Sequence, residues 1–79
     1  MKVIFCDVDG AEELLIQERE DIVALLEMVK IKGEINIYKE DYDYFYGTFE
    51  SFRLDFNKIE ETGMFEEELR IFLKCIDAE

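Results

Sequence analysis

The sequence contains no histidine and no proline, only two cysteines, and four glycines that stand far apart at Gly10, Gly33, Gly47 and Gly63. Without histidine, the Ser/His/Asp and Cys/His arrangements that activate a nucleophile cannot be assembled. A zinc site would need more good ligands than Cys6 and Cys75 supply. The scattered glycines give no phosphate-cradling loop. With no proline and no linker-like stretch, residues 1–79 read as a single compact domain. No apolar run approaches the roughly 18 to 20 residues of a membrane span or the pattern of a signal peptide. A cytoplasmic location is expected, with both thiols as small core residues.

Cations are also scarce. Nine Lys and Arg stand against twenty-one Asp and Glu, a formal net charge of -12. Solubility alone asks for roughly 2 to 8 units in a small domain. A field of this sign repels nucleic acid and anionic membrane, and it attracts basic surfaces through forces that salt weakens. The chain is nonetheless 49% apolar, with seven Phe and four Tyr, which is enough to fold. A chain of this length buries only about 60 to 65% of its unfolded surface, so a deep polar catalytic cavity would compete with its one core. Binding is expected rather than catalysis, with no catalytic residue, metal or cofactor.

The apolar pattern divides the chain into elements. Residues 1–8 and 11–17 flank Asp9-Gly10, a strong hairpin signal. A two-residue turn there pairs Val8 with Ala11, Phe5 with Leu14 and Val3 with Ile16. It places Val3, Phe5, Leu14 and Ile16 on a core face, with Ile4, Cys6, Glu13 and Leu15 opposite. Residues 18–32 switch to a helical stripe of Ile22, Leu25, Leu26 and Val29, with acids in the first turn, Lys30 and Lys32 in the last, and Gly33 as the stop. Residues 34–56 read as β, with Ile35 and Ile37 in one strand, a turn at Asp41-Tyr42-Asp43, and another strand from Tyr44. The inward face changes parity between Phe49 and Phe52, by a β-bulge or by a turn near Glu50-Ser51, and two short strands are slightly preferred. Phe65, Leu69, Phe72, Leu73 and Ile76 follow helical spacing after Thr62-Gly63, which predicts a second helix. Glu66 to Glu68 would face its N-terminus and Glu66 would reach Arg70. The expected fold is α+β, in ββαββ(β)α order: a small antiparallel sheet of four or five strands packed with two helices.

Two motifs bear on chemistry. Val3-Ile4-Phe5-Cys6-Asp7-Val8-Asp9-Gly10 resembles the first motif of haloacid-dehalogenase-type phosphatases, an apolar strand ending in Asp-x-Asp-Gly. The resemblance implies Asp7 as nucleophile and Asp9 as acid/base beside magnesium. It covers about eight residues and stops at Ala11, where that family has Thr or Val, and a hairpin tip accounts for the same residues. Asp7, Asp9, Glu12 and Glu13 also lack the ligand spacing of a calcium loop, whose Gly falls sixth rather than fourth.

The segment from Tyr38 to Tyr46 holds all four Tyr, interleaved with acids. Tyr gives contact area at low entropic cost, and neighbouring carboxylates accept bidentate hydrogen bonds from Arg. Glu40, Asp41, Tyr42, Asp43 and Tyr44 are therefore candidate contacts for a basic partner, with Asp7, Asp9 and Glu12 as a second patch. Twelve net charges match about 20 Å of duplex, on a domain expected to be about 30 Å across. This suits an inhibitor that occupies the basic groove of a nucleic-acid enzyme, in the manner of DNA-mimic anti-CRISPR or anti-restriction proteins of phages. An immunity protein or antitoxin against a basic nuclease uses the same chemistry. A small subunit or adaptor would instead cover exposed apolar positions such as Ile4 and Leu15 in an oligomer, a homodimer included.

Overall fold

The computed structural model describes residues 1–10, 12–31, 33–40 and 43–76. They form a five-stranded mixed sheet carrying one helix: β1 (Lys2–Asp7), β2 (Glu13–Glu18), α1 (Ile22–Ile31), β3 (Ile35–Glu40), β4 (Asp43–Lys58) and β5 (Phe65–Cys75). Spatial order is β2-β1-β5-β4-β3. Only the β1–β5 pairing is parallel. The last strand thus slots between the two hairpins and joins them, while α1 crosses one face from the β2 edge to the β3 edge.

This architecture overturns the expected two-helix α+β fold with a purely antiparallel sheet. The segment read as a second helix is the central strand β5. Its stripe of Phe65, Leu69, Phe72 and Leu73 left out Ile71, which is fully buried beside Leu69 and Leu73 in strict alternation. Phe72 on the opposite face is also partly buried, so the segment from Leu69 to Leu73 reads as a nearly continuous apolar run, and such a run also fits a helix. Glu66 to Glu68 cap no helix. Arg70 meets Glu68, its same-face neighbour two residues back on the strand, rather than Glu66.

The helix itself keeps the expected stripe: Leu25 and Val29 are buried, and Ile22 and Leu26 pack against the same cluster. It is shorter than expected at its start, because β2 runs through Glu18 and the first helical bond is Leu25 N–H to the Asp21 carbonyl. Lys30 lies in its last turn. Lys32 falls outside the described residues.

The first hairpin keeps its expected register only at the tip, where Cys6 faces Glu13. A bulge then shifts the ladder, so Phe5 faces Leu15 and Ile4 faces Ile16. One residue of slip exchanges faces. Ile16 turns outward at 52% exposure, and Leu15 joins the core margin with Leu14. The expected pairs of Phe5 with Leu14 and Val3 with Ile16 are therefore replaced, and Ala11 lies outside the described residues. The parity change in β4 is met by a bulge between Phe49 and Ser51 in one long strand, not by two short strands.

Side chains of Val3, Phe5, Leu14, Ile37, Leu69, Ile71 and Leu73 meet α1 in one core. Burying each such apolar side chain contributes about 1.5 to 3 kcal/mol. Past this core β4 and β5 continue as a two-stranded arm, because β3 pairs with β4 only as far as Gly47 and β1 pairs with β5 only from Glu68. The arm closes in a turn where Ile59 N–H bonds the Met64 carbonyl and Gly63 takes φ 73°, a left-handed value that glycine adopts without steric cost. Thr62-Gly63 is thus a hairpin tip and not a helix start.

Candidate functional site

The strand directions bring one set of loops together. β1 and β5 run parallel and end at the same side of the sheet as the β3–β4 turn. Asp7, Asp9 and Glu12 of the first hairpin therefore share an end with Glu40 and Asp43 of the second. Two ion pairs mark the convergence: Lys39 Nζ lies 4.0 Å from Glu12 Oε1, and Lys74 Nζ lies 3.8 Å from Asp9 Oδ2. Val8 N–H bonds the Leu73 carbonyl and Ile76 N–H bonds the Tyr46 carbonyl, which tie this end to β5. What the sequence suggested as two patches is one region with two lysines set into it. Asp41 and Tyr42 fall outside the described residues.

Ile35, Ile37 and Phe45 point to the helix side, so pleating sends Tyr38, Tyr44 and Tyr46 to the open face. Tyr38 is directly opposite Tyr44, and Asn36 opposite Tyr46. The Tyr44 and Tyr46 rings stack at 4.7 Å, and Tyr38 meets Tyr46 edge-on at 5.8 Å. Tyr38 and Tyr44 remain 68% and 55% exposed. Interaction with the Tyr38 hydroxyl, then burial and the nearby Tyr44 and Glu34 charges, raises the Tyr46 hydroxyl above its ordinary value of 10.0. Glu40 and Asp43 close the ladder as a like-charged pair beside these rings. Tyr38 and Tyr46 were not singled out from the sequence, although their even numbering with Tyr44 was the available sign.

The Asp7 carboxylate accepts the Asp9 backbone N–H at 3.0 Å, an Asx-type turn, while Asp9 faces Lys74. Among the described residues no group of three or more Cys, Asp and Glu side chains is placed to hold a metal ion. Among the described residues no helix is long and apolar enough to cross a membrane.

The centre of the open face carries a different feature. Arg70 on β5 lies 3.1 Å from Glu13, 3.8 Å from Asp55 and 2.9 Å from Glu68 Oε1, and its Nη1 sits 3.6 Å from Cys6 Sγ. Burial opposes its charge, but the contacts with Cys6, Glu13 and Glu68 prevail and its pKa is raised. Glu68 Oε1 is buried with no aligned hydrogen bond, so the Arg70 charge is what holds it. Ile4 and Cys6 on this face are each only 1% exposed, which corrects the reading of Ile4 as a surface position. Cys75, expected in the core, is exposed. Large apolar residues exposed along β4 and β5 are Phe52, Leu54, Phe56 and Phe65.

Acids also gather at the other end, at Glu18, Glu66 and Glu67, with Glu60 and Glu61 at the arm tip. The long axis is 49 Å. The net charge is thus about one per 4 Å, against one per roughly 1.7 Å of duplex, so the expected match to DNA charge density does not hold. What separates the β3–β4 end from the rest is its group of tyrosines beside the acids, whereas the exposed aromatic residues toward the other end are phenylalanines. Comparison of the chain with protein-family models, curated proteins and solved structures yields no match.

Proposed function

We propose that the protein is a non-catalytic binding module that docks the tyrosine-lined acidic end of its sheet onto a basic surface. The partner we favour is a nucleic-acid enzyme, which the protein inhibits by competing with nucleic acid for its positively charged groove. The observation that carries this reading is the juxtaposition of Tyr38, Tyr44 and Tyr46 with Glu40 and Asp43 on an exposed end that also bears Asp7, Asp9 and Glu12. Stacked, partly exposed tyrosines offer rigid contact area, and the adjoining carboxylates match the guanidinium fork. Lys39 and Lys74 already have acidic neighbours there, so the free valence of the region is anionic.

The test is capture of partners by the immobilised protein at low and high salt, followed by competition of each captured protein between this chain and its nucleic acid. Basic partners that dissociate as salt rises and release nucleic acid on binding are the expected result. Neutral or acidic partners, or ternary complexes that retain nucleic acid, overturn the reading.

A further inference from the structure

The outer edge of β4 is unpaired from Thr48 to Lys58 among the described residues, because β3 stops opposite Gly47. This is a long edge with no proline. It carries Phe52, Leu54 and Phe56 on the helix side at 45%, 45% and 56% exposure. Such an edge is a template for pairing with another strand. The question is which strand.

We propose that the edge pairs with a second copy of itself, antiparallel, about a two-fold axis at Leu54. An axis perpendicular to the sheet preserves its faces, so opposed residues must share parity and one residue must face its own copy. With Leu54 on the axis, Phe52 faces Phe56 of the second copy, Arg53 faces Asp55 and Ser51 faces Asn57, while Glu50 sits in the bulge between Phe49 and Ser51 and stays outside the new ladder. Arg53 and Asp55 thus meet as opposite charges, and the apolar positions meet each other. Neighbouring registers lack this property: centring on Arg53 or Asp55 sets like charges face to face, centring on Phe52 runs the pairing into the bulge, and centring on Phe56 leaves Leu54 against Lys58. Cross-strand pairs of this kind are the unit of sheet stabilisation, and the sequence Ser51-Phe52-Arg53-Leu54-Asp55-Phe56-Asn57 is complementary to itself when reversed. In the single chain Arg53 Nε donates to Asp55 at 3.1 Å. The dimer recruits both groups into a four-membered charge cluster on the open face, and continues the sheet to ten strands. The tyrosine-lined end is at the far side of the β3–β4 ladder from the axis, so this interface is independent of the proposed partner site.

The test is sedimentation equilibrium of the full chain at concentrations up to about 1 mM, with folding followed by circular dichroism. The wild type is expected to dimerise, and more tightly as salt rises, because two bodies of like charge repel. Arg53→Asp alone and Asp55→Arg alone each place like charges together twice, and should weaken the dimer about tenfold. The double variant R53D/D55R restores opposite pairs and should restore the dimer. Because Asp55 also lies 3.8 Å from Arg70, Leu54→Lys repeats the test on the opposite face by setting two ammonium groups against each other at the axis, and should weaken the dimer at least as much. A wild type that stays monomeric overturns the proposal. So do charge reversals whose single and double variants dimerise equally, or a Leu54→Lys variant that stays folded and dimerises as tightly as the wild type.

Discussion

Lys39 Nζ lies 4.0 Å from Glu12 Oε1, a contact between the last residues of β3 and the loop that joins β1 to β2. It spans strands that belong to opposite edges of the sheet, and so it reports that the two acidic loops share one end. The lysine also reduces the negative potential that a basic partner would meet. Lys39→Gln should therefore tighten binding of an arginine-rich peptide, by about two- to fivefold at low salt, as an exposed charge worth under about 1 kcal/mol allows. Isothermal titration calorimetry against the wild type checks this, and the difference should vanish at high salt.

Arg19 and Asp21 hold a bidentate pair at 2.9 and 2.7 Å just before α1. The hydrogen bonds from Arg19 depress the Asp21 carboxyl to about 2. A depressed acid contributes stability that is present above its unfolded pKa of roughly 3.9 and is lost as pH falls through the folded value. Carboxyl carbon NMR should place the Asp21 midpoint near 2, and Arg19→Gln should move it back toward the ordinary range.

Tyr46 titrates in the opposite sense. Its folded pKa is raised, so its contribution is complete below about 10 and is lost as pH rises beyond that value. Ultraviolet titration of phenolate, compared with the Tyr46→Phe variant, should place the Tyr46 midpoint above the ordinary tyrosine value. Tyr38→Phe removes the leading cause and should lower its midpoint.

Two glycines are required for different reasons. A Cβ at Gly47 would come within 2.8 Å of the Lys74 backbone carbonyl and 2.5 Å of the Phe45 ring, where the ring can shift but the carbonyl cannot. Gly47→Ala should cost about 1 to 3 kcal/mol, as overpacking does. Gly63 has open space around it, and its φ of 73° is the obstacle. Gly63→Ala should cost about 1 kcal/mol. Urea unfolding of the two variants measures both, with an unchanged m-value.

Arg70 is the counter-ion of the open face. Arg70→Met removes the charge that holds Glu68 Oε1 and frees Glu13 and Asp55 at the same time. Loss of about 1 to 2 kcal/mol is expected, less than for a fully buried pair because the arginine still reaches solvent. Adding Glu68→Gln should recover part of the loss, since the neutral amide needs no counter-charge. Thermal unfolding of the single and double variants gives the comparison.

Several elements could be read directly from residue spacing. Ile22, Leu25, Leu26 and Val29 specify the stripe of α1, and the parity conflict between Phe49 and Phe52 calls for a bulge or a turn, of which β4 contains the bulge although the spacing alone slightly favours two short strands. Asp9-Gly10 marks a turn, but the bulge that shifts Leu14 leaves no trace in local composition, so the outward position of Ile16 could not be foreseen. β5 was misread for a topological reason. Leu69, Arg70, Ile71, Phe72 and Leu73 lie between β1 and β4, and the pairing on both sides, with β4 across the hairpin at Gly63 and with β1 nearly the whole chain apart, decides strand over helix. At the site, the tyrosines and acids of the β3–β4 ladder were visible as composition. That Asp7, Asp9 and Glu12 join them is a property of strand direction, which a local reading does not contain.

The measurement that bears most directly on the proposed role is amide and side-chain NMR mapping of an arginine-rich peptide titrated into the labelled protein at low salt. Shift changes concentrated at Tyr38, Glu40, Asp43, Tyr44 and Tyr46, and abolished by combining Glu40→Gln with Asp43→Asn, are the predicted result. Changes centred on Glu60, Glu61, Glu66 and Glu67, or spread evenly over every acid, would contradict it.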